Sequence, residues 1–459
     1  MSAGAELPAP KEDRRSDMID QATSAGSSAD STSVVIVGAG PTGLTAGVRL
    51  AQLGVPYLIL DAGTGPTQTS KAALVHASTI ELFAELGAAD QLVAAGRKVH
   101  RIVMVDRATT LARVDLTGIP SRYPFALGVP QSVTEDVLLR RLTSLGGSIL
   151  RRHRVDGLRE EGSGYLVTGA QETSNGSTSF AIRARYVVGA DGSHSAIRSA
   201  IGLDFPGETY PSAFVLADVE LGSQPFGDDE ATISMSAQGV TVIGCLPSGR
   251  YRIIASVDPV SDVPEAPDRR FMDEILRSRG IGVQLAAAPA WSSRFRVHHR
   301  VAERFRVGGV FLAGDAAHVH SPAAGQGMNT GIADAFDLAT RLASVIRGQA
   351  AESSLDEYER KRRTAALEVL EFTDRMTKIA MVTNPVARWL RNHVAGRVVG
   401  IRPVRHRITM WITGLGRSPL RGGLPAVGFV RTLGDEAPLI PPRTPVDPTI
   451  GEPQPPPTV

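Results

Sequence analysis

Apolar residues follow two rhythms along this chain, and the rhythm changes mark its organisation. Val34-Val35-Ile36-Val37 is a short β-branched run that stops at Gly38, the pattern of a buried parallel strand. From Pro41 to about Leu53 the spacing becomes helical, with Leu44, Val48 and Ala51 on one face. Val55 to Asp61 predicts a second strand, so the ordered chain opens with a βαβ unit. The segment 74–95, with Val75, Ile80, Leu82, Phe83 and Leu86, reads as further helix, and Tyr186–Ala190 as a strand ending at Asp191-Gly192. Between 212 and 258 the pattern changes. Phe214-Val215-Leu216, Ala231–Met235 and Tyr251–Ile254 predict strands of an antiparallel sheet, followed by a loop over 259–268. The earlier pattern returns at Val310-Phe311-Leu312-Ala313. Long helices are expected at about 326–347 and 355–380, and a helical signal runs over 385–415 with breaks at Pro385 and Pro403.

These rhythms predict an α/β protein in which one cofactor domain is assembled from separated pieces and a β-rich domain is inserted between them. The expected divisions are a disordered leader over 1–32, the cofactor domain over 33–204, a β-sheet substrate domain over 205–300 and the cofactor domain resumed over 301–380. A helical region over 381–432 and a proline-rich tail over 433–459 complete the chain.

Composition narrows the class without choosing a reaction. A length of 459 residues with 42% hydrophobic and 21% charged residues suits two packed globular units. The formal net charge of +2 is small for a protein that tracks nucleic-acid phosphates. Cys245, the one cysteine, permits no internal disulfide and reads as a small core hydrophobe. There is no apolar run long enough for a membrane span. The leader lacks the apolar core of a secretory signal, so a cytoplasmic protein is expected.

Two motifs carry the chemistry. Gly38-Ala39-Gly40-Pro41-Thr42-Gly43 is a G-x-G-x-x-G between strand and helix. Gly38 would allow the tight turn, Gly40 the approach of a pyrophosphate, and Gly43 close packing of helix on strand, with the helix N-terminus facing the phosphates. Asp61, at the end of the next strand, stands where a carboxylate accepts hydrogen bonds from adenosine ribose hydroxyls. Gly314-Asp315 ends the third strand, and a short carboxylate there could accept from a ribityl hydroxyl. FAD has a ribityl chain and NAD does not.

The run Asp315-Ala316-Ala317-His318-Val319-His320-Ser321-Pro322-Ala323-Ala324-Gly325-Gln326-Gly327-Met328-Asn329-Thr330-Gly331 resembles the second FAD motif of the flavoprotein aromatic and polyketide hydroxylases related to para-hydroxybenzoate hydroxylase. Tyr186 to Arg198, with Asp191-Gly192, is similar to that family's Asp-Gly motif. The resemblance covers about 33–420. It implies a Rossmann-like FAD domain with an inserted β-sheet substrate domain and carboxyl-terminal helices. It also implies a reaction: NADPH or NADH reduces FAD, O2 forms a C4a-hydroperoxide, and one oxygen passes to an electron-rich ring. By position, Gly325, Gly327, Met328 and Asn329 would lie against the flavin ring and Pro322 near its reactive edge. Gln131 would contact the ribityl and phosphate region. Lys71 stands where relatives often have Arg, and Gly63 where a basic residue is common. Rival readings are a flavin-dependent reductase or dehydrogenase that inserts no oxygen, and a non-catalytic flavoprotein that binds a ring compound.

Other polar residues read as structural. No carboxylate or serine arrangement makes His318 and His320 a hydrolase pair, His298-His299 has no metal-like partners, and Arg151-Arg152-His153-Arg154 reads as a solvated face or edge and not a nucleic-acid patch. Phe214, Val215, Met235, Trp291 and Phe295 are the expected lining of a hydrophobic substrate pocket.

Overall fold

The computed structural model describes residues 30–66, 72–107, 109–223, 226–257, 263–321, 325–382 and 384–420. Almost all of the expected leader, the whole proline-rich tail, Lys71 and Pro322 therefore lie outside the described residues. In chain order the helices are α1 (Pro41–Gln52), α2 (Ala77–Glu85), α3 (Ala89–Ala95), α4 (Gln131–Ser144), α5 (Ala196–Ala200) and α6 (Arg269–Ser278). Four more follow: α7 (Gln326–Ile346), α8 (Asp356–Ala380), α9 (Pro385–Gly400) and α10 (Arg402–Ile412).

The first sheet has at its centre a row of parallel strands drawn from distant parts of the chain. Val310–Leu312, Gly176–Gly189, Asp30–Val37, Tyr57–Asp61 and Leu150–Arg151 lie side by side in that order. Their apolar runs are buried on both faces: Val34, Val35, Ile36, Ile59, Leu60, Val187, Phe311 and Leu312 are sealed between α1 and α7 and the other packed elements. The first strand begins at Asp30, three residues before the expected onset of order.

The second sheet is mainly antiparallel and has eight strands. Gly207–Val219, Glu230–Ser236, Gly239–Cys245, Tyr251–Val257 and Trp291–Val301 come from the predicted β-rich segment. Arg101–Asp106 and Thr109–Asp115 do not. They extend the same sheet through the parallel pairing of Glu230–Ser234 with Arg101–Val105, and His318–Val319 joins at the far edge. A division at 205 consequently does not separate the two sheets. One face of the second sheet packs Val215, Ile243, Cys245 and Ile253 against Met272 and Leu276 of α6.

The expected helix over 74–95 is broken. Leu74–Val75 is a short strand, and α2 ends at Gly87, whose φ of 69° places it in the left-handed region that glycine enters cheaply. The later helices fall where periodicity put them, with α9 starting at Pro385 and Pro403 in the first turn of α10.

Candidate active site

Register aligns the motifs along one edge. Val37 pairs with Leu60 and with Gly189, and Gly189 pairs with Leu312. The chain then leaves each strand at Gly38, Asp61, Asp191 and Gly314, so all four turns sit at the carboxyl end of the sheet. That edge is where open parallel sheets bind ligands. Backbone bonds carry the ladder into the turns, from Gly38 N–H to Leu60 O at 2.7 Å and from Ala190 N–H to Val37 O at 2.8 Å.

The glycines of the first turn have different physical reasons. Gly38 has φ of 100°, and a Cβ there would stand 2.3 Å from Ala190 O. At Gly43 a Cβ would meet Gly38 O at 1.9 Å, so α1 can pack this closely only without a side chain. Around Gly40, among the described residues, no atom beyond its chain neighbours lies within 4 Å of the Cβ position, which leaves open ground at the start of α1. Thr42 fills a slot between Gly314 and Gly331. Its Oγ1 would lie 2.4 and 2.6 Å from a Cβ at either, which joins the first motif to the second.

Asp61 accepts from Ala39 N–H at 2.7 Å, Gly63 N–H at 2.8 Å and Arg151 Nη1 at 3.0 Å. Arg151 thus stands at the expected edge of the sheet, where it is committed to a carboxylate. Leu150–Arg151 pairs beside Tyr57–Asp61, a neighbourhood created only by folding, and supplies the basic group missing at position 63. Asp191 accepts from Ala196 N–H at 2.7 Å and Ile197 N–H at 3.2 Å, while its Oδ1 is buried without a hydrogen-bond partner. Burial pushes this carboxyl upward against those hydrogen bonds. Arg198 links the Asp-Gly turn to the second motif, donating to Ser193 O at 2.8 Å and Ala316 O at 2.9 Å.

Gly314-Asp315-Ala316 forms a single 3-10 turn with Asp315 exposed. Gly325, with φ of 60°, then sets the chain into α7. Asn329 fastens that entry. It accepts from His76 N–H at 2.9 Å and donates to Leu74 O at 2.9 Å and Gly325 O at 2.7 Å. Gln326 donates to Ile412 O at 3.1 Å, tying α7 to α10. Nearby, Ala72 O receives both Gln131 N–H at 3.0 Å and Arg252 Nη1 at 2.8 Å. Arg252 is fully buried and paired through two bonds of 2.7 Å with Asp218. It pins the second sheet to the loop that adjoins Lys71, and an arginine inside an apolar strand gave no such signal in sequence.

A charge cluster lies inside the protein beside the second motif. Asp334 of α7 is sealed from solvent and accepts from His318 Nε2 at 2.7 Å, Arg362 Nε at 2.7 Å and Gly314 N–H at 3.2 Å. Burial works to raise its carboxyl, yet the Arg362 guanidinium and His318 hold it below the usual range. So His318 does have a carboxylate partner, one that only the packing of α7 supplies. Among the described residues no serine completes a nucleophilic triad in this cluster. His320 stacks parallel to His318 with ring centroids 6.2 Å apart, and burial followed by repulsion from His318 pushes it down to about 3.

The remaining face of the second sheet forms one wall of an apolar cleft. Phe214, Ile233, Met235, Val242 and Ile254 come from the sheet, Phe372 and Met376 from α8. Ser321 also lines the cleft, its Oγ 3.1 Å from Oγ1 of Thr377. Of the expected lining residues, Phe214 and Met235 are present. Val215 alternates to the opposite face, Phe295 stacks on Phe214 at 6.0 Å instead of lining the cleft, and Trp291 lies near Arg252. The contribution of α8 was absent from the sequence reading, which saw a helix but not what it faces.

A parallel sheet with three motif turns on one carboxyl edge, joined to a second sheet that walls an apolar cleft, defines the architecture of the FAD-dependent hydroxylases. A family model described as "FAD binding domain" matches residues 31–373. The chain is 35% identical over 396 residues to 6-methylpretetramide 4-monooxygenase of Streptomyces rimosus, covering 84% of this chain and 70% of that one. It is also 35% identical to rifampicin monooxygenase of Streptomyces venezuelae, covering 79% and 74%. Among solved structures, anhydrotetracycline hydroxylase from Streptomyces rimosus superposes with a TM-score of 0.70 at 30% identity over 84% of this chain and 76% of the other. The p-nitrophenol 4-monooxygenase of Pseudomonas putida gives 0.74 at 25% identity over 84% and 98%. The chain belongs to this FAD-binding family and is an FAD-dependent monooxygenase of the aromatic and polyketide hydroxylase type.

Proposed function

We propose that this monooxygenase hydroxylates a lipophilic aromatic or polyketide-like ring held in the cleft, with NADPH or NADH as reductant and O2 as oxidant. The observation that carries this reading is Ser321. It belongs to the FAD-motif loop and lines the apolar cleft together with Phe214 and Met235. The printed names of the relatives add support, since their substrates include a pretetramide and rifampicin.

The residues present fit FAD. Open ground at Gly40 before α1 suits the pyrophosphate, with Gly38, Ala39, Pro41, Thr42 and Gly43 shaping the turn. Asp61 would take the adenosine ribose and Asp315 the ribityl chain, with Gln131 and Lys71 on the ribityl and phosphate side. The unpartnered Asp191 Oδ1 is a buried acceptor in the Asp-Gly turn at the same edge. Gly325, Gly327, Met328 and Asn329 at the start of α7 would face the flavin ring, with Pro322 near its edge. Bound FAD would supply the redox chemistry, a two-electron exchange with the nicotinamide and the activation of O2, whose second oxygen atom would leave as water. The protein's part is to orient the ring and exclude water, for the described cleft lining contains no acid or base.

The test measures nicotinamide consumed, hydrogen peroxide released and hydroxylated product, with and without phenols and polycyclic polyketides. Slow basal oxidation that rises with a ring compound, with product formed, is expected. Rapid nicotinamide oxidation without oxygen insertion across a panel of tightly bound ligands would favour the reductase reading.

A further inference from the structure

Helix α9 carries its amphipathic pattern inside out. Its polar side faces the protein, where Asn392 Nδ2 and Arg391 Nη2 donate to Asp106 Oδ2 at 2.7 and 3.1 Å. Arg391 also donates to Met235 O at 2.8 Å and Ala380 O at 3.2 Å. The apolar side faces outward. Val386, Trp389, Leu390 and Val394 follow one helical face and are 74, 60, 54 and 42% exposed. Ile379 and Ile401, before and after α9 in sequence, are also exposed, at 46 and 51%. Of the large apolar side chains exposed among the described residues, only Leu367 falls outside 379–420. Single exposed hydrophobes need no explanation, but this concentration on one helix marks an interaction surface.

The charge around the patch identifies what covers it. No Asp or Glu occurs between Asp374 and Asp435. Arg397, Arg402 and Arg405 are exposed on and beside the apolar face. Asp106, which α9 touches, is paired with Arg391 and Arg388, and Asp374, where the acid-free stretch begins, is paired with Lys378 at 2.8 Å. No helix among the described residues is long and apolar enough to cross a membrane, so the surface suits lying on a bilayer and not spanning it. A second copy of the chain would bring like charges together at this face, which disfavours self-association.

We propose that α9 and the start of α10 dock on the surface of an anionic lipid bilayer. Val386, Trp389, Leu390 and Val394 enter the boundary between headgroups and acyl chains, and Arg397, Arg402 and Arg405 face the headgroups. Tryptophan suits that boundary because it is large and apolar with one polar edge. Arg391 grips the backbones of Met235 and Ala380, both cleft residues, so docking sets a wall of the cleft close to the lipid. A lipophilic substrate dissolved in the bilayer would be concentrated there. That last consequence rests on the function proposed above, whereas docking itself does not.

The test uses the full-length holoprotein and sedimentation with large unilamellar vesicles. Vesicles of phosphatidylcholine alone are compared with equal parts of phosphatidylcholine and phosphatidylglycerol. Binding is expected only to the mixed vesicles and should fall steeply with added salt. Replacing the arginines together (Arg397→Gln, Arg402→Gln, Arg405→Gln) should weaken partitioning on the order of a hundredfold. Trp389→Glu with Leu390→Glu should abolish it at unchanged flavin content. Should the apolar double variant lose flavin, the arginine variant decides alone. Equal partitioning to both vesicle types overturns the proposal. So does a wild-type dimer, seen by analytical ultracentrifugation, that Trp389→Glu dissociates while no vesicles are bound.

Discussion

Arg151 and Asp61 sit directly opposite each other in paired parallel strands, and their side chains meet at 3.0 Å. The same carboxylate takes Ala39 N–H from the glycine turn, so the pair fixes the loop expected to carry the pyrophosphate. Arg151→Ala should weaken FAD binding about three- to tenfold, as expected for a partly exposed charge-assisted bond. Asp61→Ala removes acceptors from two backbone amides as well and should cost about ten- to a hundredfold. Titration of apoprotein with FAD measures both. An unchanged affinity for Asp61→Ala would show that the turn holds its shape without the carboxylate.

Asp315 stands exposed on its one-turn helix at the end of the third motif strand. As a ribityl acceptor it should contribute about 1.5–3 kcal/mol to FAD affinity. Asp315→Ala is expected to lower that affinity while leaving the urea midpoint of the apoprotein in place. A loss of apoprotein stability with no change in flavin binding would instead make Asp315 a turn residue.

Arg362 and Asp334 form a buried pair in which each partner offsets the other's desolvation. Removing one side strands a charge, so Arg362→Met alone should destabilise the protein by about 3–5 kcal/mol. Replacing both, with Asp334→Asn and Arg362→Met, should cost less than the sum of the singles. Urea unfolding of the four proteins yields the coupling, and strict additivity would show the pair to be energetically independent.

His320 gives stability a defined pH window. Its folded-state value lies near 3 against an ordinary 6.5, so the unfolded chain binds the extra proton between those values. Its contribution is complete above the unfolded value and is lost progressively as pH falls through the window. Going from about pH 7 to about pH 5, the wild type should lose about 2 kcal/mol more than His320→Gln. The buried pair does not blur this comparison, because both proteins contain it and Asp334 is held below the ordinary carboxylate range. Parallel pH profiles for the two proteins would contradict the assignment.

What was legible in sequence had a local cause. Gly38 and Gly43 announce themselves because a turn and a close helix–strand contact each forbid a side chain, and their spacing repeats that geometry in one dimension. The helices over 326–346 and 356–380 were legible because their apolar periodicity is long. Arg151, Arg252, Asp334 and Arg362 were not, since their partners lie 90, 34, 16 and 28 residues away and are chosen by packing. The cleft failed in part for a simpler reason. Val215 and Phe214 look equally apolar, and only the identity of the buried face decides which one meets the cleft.

Because Val310–Leu312 pairs with Gly176–Gly189, which pairs with Asp30–Val37, the row of motif turns exists only after the chain has passed residue 312. A nascent chain emerging amino end first would hold the glycine turn long before its neighbours arrive. Pairings of such sequence separation carry a large loop-closure cost, which makes late and comparatively slow assembly the expected course. FAD, which would bind the completed edge and not its pieces, would then act by mass action on the last step and draw the whole assembly forward.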